Sequence, residues 1–87
     1  MNPIKFAFIL TGGQKHPLPE YLQFDNPNNT TKICGVDSIE TACQVAKELA
    51  DDGYNLIELC GDFQAEGAQK VIDAVAGKAK VGYIIYP

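Results

Sequence analysis

Glu58 is the residue whose placement most calls for a chemical reading. It sits inside Leu56-Ile57-Glu58-Leu59-Cys60, a run of strand formers with apolar residues on both sides. Burying an unpaired carboxylate there is costly, and burial would raise its pKa toward the range of a general acid or base. The plainer role is a carboxylate that reaches solvent or hydrogen-bonds at a subunit interface. Cys60 ends this run, and Cys34 falls near the end of the similar run Thr31-Lys32-Ile33-Cys34-Gly35-Val36. Each is expected at the C-terminal end of a strand, just before a helix N-terminus. A thiol's pKa falls there, and open α/β sheets bind ligands there. Free cysteine is also a small core hydrophobe, and Cys43, in mid-helix, reads as packing. His16 is the only histidine. It could form a dyad with Cys60 if its loop folds over the strand ends, although such loops also carry histidines without a role.

Glu58, Cys60 and His16 are thus the candidate catalytic residues. The candidate ligand-binding set is Thr11, Gly12, Gly13, Lys15, Cys34 and Gly61. Gly12-Gly13 could form an anion-binding nest, and Lys15 could pair with a phosphate or carboxylate. The stretch T-G-G-Q-K-H matches neither the dinucleotide nor the Walker pattern, so no cofactor is indicated. Three cysteines without C-x-x-C spacing and one histidine indicate no metal site. Asp51-Asp52 reads as a solvated pair. The single serine, Ser38, is explained by a helix cap, which argues against a serine triad.

The elements that must position these residues follow from periodicity. Ile4–Leu10 is almost continuously apolar, the pattern of a strand covered on both faces. Lys5 interrupts it and no small-residue cleavage site follows, so it does not read as a signal peptide. Residues 12–30 are rich in proline and asparagine and read as a loop. Within them Leu18, Tyr21 and Leu22, at helical spacing after Pro17, suggest a short third helix. Residues 31–36 form a second strand. Asp37-Ser38-Ile39-Glu40 then reads as a capping box, with Asp37 accepting and Glu40 reaching back. In the helix that follows, Ala42, Val45, Ala46 and Leu49 form one apolar stripe, and Gly53 stops it. Leu56–Cys60 is the third strand. A second helix points Ala68, Val71, Ile72 and Val75 inward and stops at Gly77, and residues 81–86 form the fourth strand.

Cys34-Gly35 recurs as Cys60-Gly61, and the two helical stripes align behind them. Each unit reads as strand, Cys-Gly, turn and helix, which makes two crossovers between parallel strands. The fold expected is one α/β domain over residues 1–87, with a four-stranded, mainly parallel sheet and two full helices. The strand order favoured is second-first-third-fourth, which puts a switch point between the first and third strands. The alternative is sequential order with one sheet face bare.

The stretch Glu58-Leu59-Cys60-Gly61-Asp62-Phe63 resembles the E-L-C-G-G-F motif of a family of small uncharacterised prokaryotic α/β proteins, a domain of unknown function. The resemblance extends to Lys5–Ile9, the Gly35-Val36 pair, the Ala-rich first helix and Val81-Gly82. Asp62 stands where the family has a second glycine. The resemblance implies architecture and carries no activity.

Composition bounds the rest. The chain has 87 residues, is 46% hydrophobic and 21% charged, and carries a net charge of −4. Its seven cations are all lysines, which argues against a nucleic-acid partner. No apolar run reaches membrane-spanning length. Cysteines in a chain with no export signal read as reduced thiols, so a cytoplasmic location is expected. Two helices cannot cover both faces of four apolar strands, so a homo-oligomer, with a dimer favoured, is expected. For function, the first expectation is a small-molecule-binding protein with its pocket at the C-terminal strand ends. An enzyme using Glu58 with Cys60 or His16 is the alternative, and an oligomeric interaction module without a ligand stands behind both.

Overall fold

A computed structural model describes residues 4–11 and 19–87. In chain order the elements are β1 (Ile4–Thr11), β2 (Glu20–Asn26), β3 (Asn29–Val36), α1 (Ile39–Asp51), β4 (Leu56–Leu59), a 3-10 turn (Gly61–Phe63), α2 (Gln64–Val75) and β5 (Lys80–Tyr83). They build one five-stranded sheet in the order β2-β3-β1-β4-β5. β1 pairs in parallel with β3 and β4, and β4 with β5, whereas β2 is antiparallel to β3.

The fifth strand corrects the four-stranded expectation and replaces the short helix expected after Pro17. Tyr21 and Leu22 lie in β2, where they pair with Cys34 and Ile33. The hairpin turn explains this outcome. Asn26 Oδ1 accepts from the backbone N–H of Asn28 (2.9 Å) and of Asn29 (3.0 Å), closing a two-residue turn at Pro27-Asn28. Once the turn is fixed, residues 20–26 are in register with β3. Sequential strand order does not occur. The parallel strands stand as β3-β1-β4-β5, with β2 outside them at the edge.

The two crossovers, β3-α1-β4 and β4-α2-β5, step the same way across the sheet. Connections of one hand that step one way lay their helices on one face. Ala7, Ile9, Cys34, Val36, Ile57 and Leu59 accordingly form a single core with Ala42, Val45, Ala46, Leu49, Ala68, Val71 and Val75 of the helices. The second stripe is narrower than expected, because Ile72 is exposed. β1 is therefore helix-covered on one face only. Phe6, Phe8 and Leu10, on the other face, are half-buried.

The helix ends follow local chemistry. Ser38, not Asp37, caps α1, because the Ser38 hydroxyl accepts from the Thr41 N–H at 3.1 Å. Gly53 ends this helix at φ +93°, a conformation costly for any residue with a Cβ. The fourth strand is shorter than expected, although the Ile84 N–H still donates to Leu59 O (3.1 Å). No helix among the described residues is long and apolar enough to cross a membrane.

Candidate functional site

Parallel pairing lines up the C-terminal ends of β1, β3, β4 and β5 along one edge of the sheet. The next strand after β1 is β2, at one border of the sheet, and the next after β4 is β5, at the other. The strand order therefore reverses between β1 and β4, a switch point flanked by Thr11 and Cys60. The structure brings these two candidates together. The Thr11 N–H donates to Cys60 Sγ (3.4 Å), and the thiol donates to Thr11 O (3.6 Å). The Cys60 N–H donates to Ile9 O (3.2 Å), which extends the β1–β4 ladder to the start of the 3-10 turn.

Gly61 comes next, and the Tyr86 ring lies directly over it. A Cβ added at Gly61 would collide with Tyr86 Cε2. A groove of about 360 Å³ opens beside this contact, lined by Gly61, Gln64, Ala65 and the tail Tyr83–Tyr86. Phe63 provides no side-chain cap for α2, whose first turn faces this groove through Gln64 and Ala65. Gln64 holds φ 57° and ψ 179°, a conformation that strains a residue with a Cβ.

Glu58 is half-buried rather than buried. Its carboxylate leans toward β5, so that a Cβ built on Gly82 would stand 3.0 Å from Oε2 and 3.4 Å from Oε1. Cys60 is held toward β1 by Thr11. The two candidate catalytic side chains therefore lean to opposite sides of β4. Cys34 faces the helices, is fully buried, and burial pushes its thiol up to about 11, with Lys32 pulling slightly the other way. Cys43 is half-buried, and burial, followed by the charge of Glu40, raises its thiol too. Gly12, Gly13, Lys15 and His16 lie outside the described residues.

Three features escaped the sequence reading. Among the described residues Asp37 Oδ1, one residue past the Thr11–Val36 pair, is buried without a hydrogen-bond partner. Its visible signal was only an acidic residue beside a better cap. Tyr86 reaches its place over Gly61 from 25 residues away, which no local pattern encodes. On the helix side, Lys32 Nζ lies 5.3 Å from the Tyr21 ring centre and 5.5 Å from that of Tyr54, within cation–π range. A shallow groove of about 270 Å³ there is lined by Tyr21, Lys32, Val45, Glu48, Leu49 and Asp52. Among the described residues no group of three potential metal ligands comes together.

A mostly parallel five-stranded sheet with two helices on one face defines a two-layer α/β protein. The chain belongs to the family of unknown function DUF6506, whose model matches residues 4–87. This agrees with the resemblance to a domain of unknown function drawn from the Glu58–Phe63 stretch. No curated protein and no solved structure matches the chain.

Proposed function

We propose that the protein binds a flat, uncharged small molecule in the groove at the C-terminal ends of β4 and β5. The observation that carries this reading is the contact of Tyr86 with Gly61. Position 61 has no room for a side chain because an aromatic ring occupies that space at the mouth of the groove. The lining supports the ligand class. It contains no charged residue, two tyrosine rings, two isoleucines and one amide, Gln64. Such walls favour an apolar or aromatic body with a few hydrogen-bonding groups. The start of α2, which no side chain caps, borders the groove through Gln64 and Ala65.

An acid–base enzyme built on Glu58 and Cys60 is less well supported, because their side chains lean apart across β4. A thermal-shift screen of neutral heterocycles and other metabolites tests the proposal. A ligand at 100 times its Kd stabilises by about 2.7 kcal/mol. The expected hit is planar and neutral, and its shift disappears in Tyr86→Ala and in Gly61→Val. A hit whose shift survives both substitutions, or a screen without hits at millimolar concentration, refutes the reading.

A further inference from the structure

The sheet face opposite the helices carries a continuous apolar centre, with Thr31 inside it and Glu20, Asn26, Asn29, Glu58 and Lys80 around it. The strand registers place Ile4, Phe6, Phe8 and Leu10 of β1 on it, with Ile33 of β3, Leu22 and Phe24 of β2, and Leu56 of β4. Exposure is high at its margins, 62% for Leu22, 57% for Ile4 and 56% for Phe24. Five strands about 4.8 Å apart and roughly 20 Å long give a footprint of about 500 Å². This footprint is of the order of one side of a standard interface, about 800 Å².

Charge on this face is confined to its borders. Gly82 has no side chain, so the Glu58 carboxylate lies over it, at the β5 border and clear of Phe6, Phe8 and Ile33. Lys80 projects from the same face of β5, one row along, beside Leu56. Among the described residues neither the Glu58 carboxylate nor the Lys80 ammonium has a hydrogen bond or ion pair. An apolar centre with a polar border is how protein interfaces are built.

We infer that this face packs against the same face of a second copy, about a two-fold axis that crosses the strands midway between the rows of Phe6 and Phe8. The registers then fix what meets what. The row of Lys80, Leu56, Phe6, Thr31 and Phe24 faces the partner's row of Gly82, Glu58, Phe8, Ile33 and Leu22. Phe6 meets the partner's Phe8, and Phe24 meets the partner's Leu22. Each Lys80 lies over the partner's Gly82, where the partner's Glu58 carboxylate rests, so two reciprocal ion pairs form at one border. A second copy is the occupant because one surface supplies both charges and both halves of the apolar match. A two-fold axis along β1 would instead place Lys80 over Phe24 and leave Glu58 unpaired. The inference is independent of the ligand groove, which is lined by other residues.

Sedimentation equilibrium or size exclusion with light scattering from 1 to 100 µM tests it. The wild-type chain is expected to be a dimer. Lys80→Glu and Glu58→Lys should each raise the dimer Kd at least about tenfold, since each breaks two ion pairs and sets like charges together. The double exchange Glu58→Lys with Lys80→Glu should restore the wild-type Kd. Leu22→Asp, on a strand exposed along its whole length, should give a monomer with unchanged circular dichroism. A wild-type monomer at 100 µM overturns the inference, including one that binds lipid vesicles or another protein through this face. A dimer indifferent to both charge reversals, or not rescued by the double exchange, overturns it as well.

Discussion

Raising the pH should destabilise this protein through one buried thiol. Cys34, on the helix-facing side of β3, is fully buried, and burial pushes its thiol from the ordinary 9.0 up to about 11. In the unfolded chain the thiol ionises near 9.0, whereas the folded chain keeps the proton until about pH 11. Between these values the folded state binds more protons than the unfolded state, so stability falls as pH rises. The contribution is fully present below pH 9. Delaying ionisation from 9.0 to about 11 corresponds to about 2–3 kcal/mol lost by pH 11. Burial raises Tyr21 and Tyr54 as well, so the effect must be isolated by difference. The assay is urea unfolding of wild type and Cys34→Ala at pH 8, 9, 10 and 11 under reducing conditions. Cys34→Ala should start about 1 kcal/mol lower from lost packing and then decline less steeply. The two curves should converge, and by pH 11 the variant should be the more stable. Parallel curves from pH 8 to 11 would refute the reasoning.

Further outcomes follow from other positions. Ser38→Ala should lower stability in urea by about 1 kcal/mol, because the Thr41 N–H loses its acceptor. Asp37→Ala should cost nothing or be stabilising, because Asp37 Oδ1 is buried with no hydrogen-bond partner among the described residues. Equal losses for the two would restore Asp37 as the cap. Gly77→Ala should cost about 1 kcal/mol although nothing crowds the site, because φ there is +80°. Gly67→Ala should be near neutral by thermal melting, since a helix-propensity gain of about 1 kcal/mol offsets a squeeze on the Ile39 Cδ1 methyl, 3.0 Å from the new Cβ. Iodoacetamide followed by mass spectrometry should label Cys60 and Cys43 in the folded protein and Cys34 only on unfolding.

Both full helices were legible because their signals are local. A 3.6-residue stripe such as Ala42, Val45, Ala46 and Leu49 commits one face to the core whatever the partner is. The glycine at 53 marks a stop that only a positive φ can make. Strand β2 also left a trace, in the alternation Leu22-Gln23-Phe24-Asp25 before an Asn-Pro-Asn-Asn turn. The competing helical spacing of Leu18, Tyr21 and Leu22 masked it. The residues of β2 are all exposed, so no buried face disciplines the pattern, and pairing with β3 decides the element.

The two Cys-Gly pairs divide what the sequence determined from what the tertiary structure decided. Sequence placed both thiols near strand ends, since both follow apolar runs and precede helices. It could not separate them, because register decides the face. Cys34 lies inside β3 opposite Ile9 and enters the core. Cys60 lies one residue beyond β4 and is tethered to the Thr11 backbone. Glu58 follows the same rule. Its mid-strand position was evident from its neighbours, but its lean toward β5 depends on Gly82 being bare, 24 residues further along the chain. Periodicity reports what a segment needs to bury, and only pairing between distant segments decides which side chain meets which space.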